Sequence, residues 1–266
     1  MRIHIPMNGN TFPYFEYCVQ NHKRLATNPS ALEFFAYSLD AGGAAKASAM
    51  GYNAIKVTDS SAGTLGHALG IEAILKNLKN GDINVISDSD CIVLYKNWDD
   101  AIAKLMMTNG IIGTTFEDIG GFSSGTTKVQ TYKGLPNVAW VALSPKYDWQ
   151  FDTSCNKDVH LQIDSQELSE TFNLPIGYSL LREHTWKLPF YLRENKVVHY
   201  NFNFVRPTSG KAKAVLTGED YHTEYTLHDG TPFVAHQRGS MSKTFRVHHL
   251  SKTFYDACEA YINASA

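Results

Sequence analysis

The chain lacks several features that would tie it to common protein classes. Its 266 residues include only four cysteines, Cys18, Cys91, Cys155 and Cys258, and no two stand at C-x-x-C spacing. A zinc site and a disulfide framework are therefore not expected, and reduced, mostly buried thiols are. No run of about 18 apolar residues occurs, so no membrane span is expected. The opening stretch MRIHIPMNGN holds no apolar signal region, and a cytoplasmic protein is the expectation. A G-x-x-x-x-G-K-S/T phosphate loop is absent, which sets aside kinases of that type. An excess of one charge is lacking too: 24 Lys and Arg face 26 Asp and Glu, a net charge of −2. That excludes a wholesale electrostatic nucleic-acid binder and leaves room for a local basic patch.

What is present is a globular composition with strong periodicity. Apolar runs at 2–6, 32–40, 53–59, 83–88 and 110–116 read as strands. Pro6 ends the first. Between them, 10–26, 62–80 and 97–107 read as helices, and 41–50 as a loop entering a short helix. Ala68, Ile71, Ile74, Leu75 and Leu78 share one helical face; so do Trp98, Ala101, Ile102, Leu105 and Met106. This alternation predicts an α/β fold, a mostly parallel sheet flanked by helices on both faces. Such sheets bind ligands at the carboxyl ends of their strands. Asp40, Asp59 and Asp88 fall at three such ends and share one predicted rim.

The second half reads differently. Residues 117–136 are rich in Gly, Ser and Thr and read as a loop. Strands are expected at 137–144 and 196–204, and helices at 164–172 and 185–195, the first capped by Asp164 with Glu167 three residues on. Residues 206–252 read as loop-rich and basic, with seven Lys or Arg against four Asp or Glu. No repeat or linker separates independent units. The expectation is one domain over 1–266, with a Rossmann-like half at 1–116 and a mixed α+β half at 117–266.

The stretch INVISDSDCIVL carries the chemistry. Ile83, Val85 and Ile86 read as a buried strand, and Ile92, Val93 and Leu94 as its continuation. Asp88 and Asp90 interrupt it, although carboxylates are seldom buried unless paired or bound to a metal. In an extended segment the two point to the same side and converge on one ion. Hard divalent cations such as Mn²⁺ or Mg²⁺ take such oxygen ligands and fill their remaining positions with water and phosphate oxygens. The plain alternative is a polar turn with two solvated aspartates.

The segment GHALGIEAILKNLKNGDINVISDSDCIVLYKNWDDAI, with the preceding NAIKVTD, resembles the donor-binding half of GT-A-fold glycosyltransferases, especially the family 2-like group. The resemblance implies that Asp88 contacts the donor ribose or a metal-bound water and that Asp90 ligates the metal, with Ser89 between them in the donor site. It implies that Pro6 through Asn8 cradle the nucleotide base and that Asp40 reads base or ribose, although DAGG stands where the family often has Asp-x-Ser. Asp59 and His67 fall on the donor side, His67 toward a phosphate or the sugar or as a helix cap. A late histidine often completes the metal shell in this family. His236, after the short apolar strand PFVA, is that candidate, ahead of His222, His248 and His249. Arg238, Ser240 and Lys243 follow it as a candidate diphosphate lid. For the base, Glu183 and His184 fall nearest the family position, with Asp152, Asp164 and Glu170 as other acids in the region.

The function so implied is a metal-dependent transfer of a sugar from a nucleotide sugar, a UDP-sugar favoured, to an acceptor hydroxyl. Candidate acceptors are a glycan, a small molecule or a hydroxymethylated DNA base. The alternatives are a non-catalytic nucleotide-sugar-binding module and a metal-dependent nucleotidyltransferase.

Overall fold

Val85 and Ile86 are adjacent on one strand and are buried in different cores. The same division separates Ile112 from Ile111 and Trp140 from Val141. Successive side chains of a strand point to opposite faces, so this split requires a sheet covered on both sides. The structure, a computed structural model, describes residues 1–57, 64–115, 128–129, 134–153, 156–182, 186–205, 222–237 and 248–265.

The first half runs β1 (Arg2–Met7), α1 (Phe12–Leu25), β2 (Glu33–Ser38), α2 (Ala41–Ala49), β3 (Asn53–Lys56), α3 (Thr64–Lys76), β4 (Asn84–Ser87), β5 (Cys91–Val93), α4 (Trp98–Leu105) and β6 (Ile111–Thr115). The second runs β7 (Lys128–Val129), β8 (Pro136–Leu143), β9 (Asn156–Gln162), α5 (Gln166–Phe172), β10 (Ser179–Arg182), α6 (Leu188–Glu194), β11 (His199–Asn201), β12 (Asn203–Val205), β13 (His222–Thr226), β14 (Pro232–Gln237) and α7 (His248–Ala264).

Seven strands form the main sheet in the order β11-β6-β8-β4-β1-β2-β3. All run parallel except β8, which lies antiparallel between β4 and β6. The expected mostly parallel α/β sheet is therefore what the chain builds. On one face α1 buries Phe15, Cys18 and Val19, and α4 buries Trp98 and Ile102. On the other, α3 buries Ile71, Ile74 and Leu75, and α6 buries Leu188 and Leu192. A second sheet has the order β12-β13-β14-β5, and a third has β7-β10-β9.

Several boundaries differ from the sequence pattern. Residues 92–94 do not continue β4; β5 leaves the main sheet and pairs with β14. The run 196–204 likewise splits, with β11 on the main sheet and β12 on the second. Both runs are apolar enough for one strand, and only the tertiary partner divides them. Pro6 does not end β1, which pairs with β2 through Met7. The cap of α5 is Ser165, whose hydroxyl accepts from Leu168 N, and not Asp164. The part of 206–252 within the described residues holds the β13–β14 hairpin and the start of α7, so it is less loop-rich than its composition suggests. Cys18, Cys91 and Cys258 are buried free thiols; Cys155 lies outside the described residues.

Two buried histidines fix a pH response. His4 Nε2 donates to Asn84 Oδ1 at 3.0 Å, and its Nδ1 accepts from the Tyr37 hydroxyl at 3.1 Å. His22 Nδ1 donates to the Cys18 carbonyl at 2.8 Å, and its Nε2 accepts from Trp140 Nε1 at 3.1 Å. The partners assign these tautomers, and a second proton on His22 would set one N–H against another. Burial pushes both imidazoles down from 6.5 to about 4, against the opposing pull of their hydrogen-bond acceptors. The unfolded chain binds these protons below 6.5 and the folded chain only near 4. Their contribution is thus complete above that window and is lost as pH falls through it. Each histidine gives a slope of at most about 1.4 kcal/mol per pH unit. The melting temperature should fall steadily across the window, and a flat profile would contradict the neutral assignment.

Candidate functional site

The two aspartates stand at the corner where the chain leaves one sheet for another. β4 ends at Ser87 in the main sheet, and β5 begins at Cys91 in the second. Asp88 N donates to the Ala139 carbonyl at 2.7 Å, and Cys91 N donates to the Asp88 carbonyl at 3.0 Å. The segment is therefore a tight turn and not the extended run on which the sequence argument relied. The aspartates converge for a different reason, which is that β14 pairs antiparallel with β5 and sets His236 opposite Cys91. Gln237 N seals that register on the Asp90 carbonyl at 3.1 Å. His236 lies inside β14 and not after it.

The resulting geometry is close. His236 Nε2 is 3.4 Å from Asp90 Oδ1 and 3.9 Å from Asp88 Oδ2. From α3, His67 Nε2 lies 2.8 Å from Asp88 Oδ1. His67 thus reaches the aspartate turn itself. The side chains of His67, Asp88 and His236 are 18 to 20% exposed and that of Asp90 is 9% exposed, so the cluster is covered yet reachable from solvent. Ser89 is buried in the turn between the aspartates.

An imidazole with a carboxylate on either hand suits a divalent cation of the Mn²⁺ or Mg²⁺ kind, and the ligand atoms that lie mutually close are those of Asp90, His236 and Cys91. The Cys91 sulfur also lies within 4.8 Å of ligand atoms of Asp90 and His236. It does not fit the role. Its thiol donates to the Ala139 carbonyl at 3.2 Å, and full burial holds its ionisation well above the ordinary range. A hard cation takes oxygen and imidazole ligands in preference to sulfur.

The first loop is organised by Asp40. Its Oδ1 accepts from Gly43 N at 2.6 Å and caps α2, while its Oδ2 accepts from Gly9 N at 2.7 Å. Asn8 Oδ1 accepts from Asn10 N at 2.9 Å and Thr11 N at 3.0 Å, which turns the chain into α1. Pro6 is buried in β1 beneath α3, where a Cβ on Gly70 would come within 3.2 Å of it. A Cβ on Gly43 would lie 2.5 Å from Ser38 Oγ and 2.9 Å from Gly9 N. The DAGG sequence is the consequence, because the two loops touch backbone to backbone. Asp59, Glu183, His184, Arg238, Ser240 and Lys243 lie outside the described residues. Of the other acids, Asp152, Asp164 and Glu170 are exposed.

No protein-family model matches this sequence, and no curated protein matches it. Among solved structures it is similar to the galactosyltransferase LgtC in complex with donor and acceptor sugar analogues, at 15% identity and a TM-score of 0.40, covering 76% of this chain and 73% of that one. It is similar to the mannosyltransferase PcManGT from Pyrobaculum calidifontis in complex with GDP-Man and Mn²⁺, at 12% identity and 0.41, covering 71% and 60%. A third likeness is to the glycosyltransferase GlyE of Streptococcus pneumoniae, at 12% and 0.41, covering 99% and 62%. The chain thus spans less than two thirds of the length of the PcManGT and GlyE chains. All three TM-scores are below 0.5, and the chemistry assigned to this chain rests on its own side chains.

Sequence patterning did not reach the His67–Asp88 contact or the docking of α7 on α1 through Tyr255 and Glu259. The spacing of Phe254, Cys258 and Ile262, all buried, carried the signal for that helix.

Proposed function

We propose that the chain is a divalent-metal-dependent glycosyltransferase that moves a sugar from a nucleoside-diphosphate sugar to an acceptor hydroxyl. The observation that carries the reading is the approach of His236 to both aspartates, its Nε2 lying 3.4 Å from Asp90 and 3.9 Å from Asp88. These three side chains would hold Mn²⁺ or Mg²⁺. When bound, such an ion neutralises charge on a departing diphosphate. His67 fixes Asp88 through one oxygen and leaves the other facing His236. The loop tied by Asp40 and Asn8 lines the carboxyl end of β1 and suits a nucleotide base, a UDP-sugar being favoured. Arg238, Ser240 and Lys243 follow directly on β14 and are assigned to close over the diphosphate; Asp59 is kept on the donor rim. Glu183 and His184 are retained as the acid–base candidates. The acceptor is a glycan, a small molecule or a hydroxymethylated DNA base; the basic run after Arg206 serves either as a diphosphate lid or, in the minority reading, as a surface for a nucleic-acid acceptor.

Thermal melting against nucleotide sugars, with Mn²⁺ and with chelator, tests the reading. A donor at about a hundred times its dissociation constant adds roughly 2.7 kcal/mol. In a chain of this size that raises the melting temperature by about 2–4 °C per kcal/mol. A chelator-sensitive shift for one nucleotide family, with nucleoside diphosphate released on turnover, is the expected result. Binding without turnover would favour the binding module, and pyrophosphate release the nucleotidyltransferase.

His67→Ala tests the support of Asp88. Loss of a residue that orients a metal ligand costs about 10- to 100-fold in metal affinity. Mn²⁺ titration should show that loss with little change in melting temperature, and an unchanged affinity would separate His67 from the site.

A further inference from the structure

A cavity of about 410 Å³ lies at the end of the β5–β14 ladder away from the aspartates. Small-ligand sites range over about 300–1,000 Å³. The ladder pairs Cys91 with His236 beside the aspartate turn and Val93 with Val234 two residues on. Leu94 N then donates to the Phe233 carbonyl at 2.8 Å, and Leu94 lines the cavity. Three strand residues separate Cys91 from Leu94, a rise of about 10 Å. The cavity is therefore distinct from the place where a metal and diphosphate would sit.

Its walls are mixed in character. Leu94 and Ile262 are buried and apolar. Tyr95 and Tyr261 are half-buried, and the Tyr95 ring is braced by Phe233, stacked on it at 5.4 Å with 23° between the planes. Thr231 and Asn263 add polar groups. Both α1 and α7 end here, and the last carbonyls of a helix lack intrahelical donors. Arg24 and Lys96 also line the cavity, and no acid does among the described residues. Arg24 spends its charge on Glu259, to which two of its nitrogens donate at 2.8 Å. Lys96 is exposed and has no ion pair or hydrogen bond among the described residues.

A sugar ring carries C–H groups on its faces and hydroxyls at its edge. It can pack on a tyrosine ring while its hydroxyls donate to carbonyls and accept from an amide. A bare anion is a poorer match, because the negative ends of two helices oppose it. A carboxylate carried on a sugar can meet Lys96 while the hydroxyls answer the carbonyls. We propose that this cavity binds an acidic sugar, a uronate, as a remote unit of a glycan acceptor. The acceptor role rests on the proposed transferase reading; the saccharide site does not.

Isothermal titration with a uronic-acid tetrasaccharide, in the presence of chelator, reads the cavity without the metal. Wild type should bind it, and should bind a neutral glucose tetrasaccharide and inorganic phosphate more weakly by about tenfold. Lys96→Glu should lower the uronate affinity by about tenfold or more, with melting temperature and affinity for UDP in Mn²⁺ unchanged. Lys104→Glu, an equal charge change on an exposed lysine of α4, should leave uronate affinity as in wild type. No uronate binding by wild type, equal binding by Lys96→Glu, or an equal loss in Lys104→Glu would overturn the proposal. Uronate binding in a wild type that does not bind UDP with Mn²⁺ would overturn the transferase reading and the acceptor role, and would leave the saccharide site standing.

Discussion

Asp90→Ala is expected to abolish the chelator-sensitive rise in melting temperature given by Mn²⁺ and a nucleoside diphosphate. Asp90 is the carboxylate closest to His236 and the more buried of the pair. Removing a residue that merely orients a ligand costs 10- to 100-fold in metal affinity; removing the ligand itself should cost on the order of 100-fold or more. The fold should survive, because the register of β5 on β14 is held by the Asp90 backbone and not by its side chain. The discriminating measurement is Mn²⁺ affinity by titration, with melting temperature as the control for folding. A variant that binds Mn²⁺ and UDP as wild type does would reduce residues 88–90 to a polar turn.

The largest effect on stability is expected at Trp140. Its side chain is fully buried. Its indole meets Trp98 edge-on at 5.9 Å, Phe233 at 5.5 Å and Phe202 at 5.9 Å, and its Nε1 donates to His22 Nε2. These partners come from α4, from β14, from the residue between β11 and β12, and from α1, so one ring joins both sheets and both helices on that face. Trp140→Ala should cost about 3–5 kcal/mol. It also strips His22 Nε2 of its donor, so the pH dependence of unfolding should shift as well. Urea denaturation of the variant at neutral pH measures the first effect. A loss below about 1 kcal/mol would mean that the neighbours collapse into the space.

The sheet and its flanking helices were legible because their signal is local. Ile71, Ile74 and Leu75 repeat with helical spacing whatever the partner, and Ile83, Val85 and Ile86 read as a buried strand on their own. The aspartates were legible because carboxylates at the end of such a strand need an explanation. Partners distant in sequence were not legible. Nothing near Cys91 announces that residues 91–93 turn away to meet 234–236, and nothing near Val138 announces an antiparallel strand between two parallel ones. The caps failed at the finest scale: Asp164 and Ser165 are both good N-cap residues, and one residue of phase decides between them.

The placement of β8 governs the order in which the molecule can be assembled. Strands β4 and β6 belong to the first half of the chain, yet each pairs with β8 and not with the other. A ribosome that has released residues 1–115 has therefore produced two strands, one place apart in the final sheet, whose facing edges are still open. The gap closes only when Pro136–Leu143 emerges, and His236 joins the aspartates later still. Contacts this far apart in sequence form slowly, so the nascent chain holds most of its α/β layer well before His236 reaches Asp88 and Asp90.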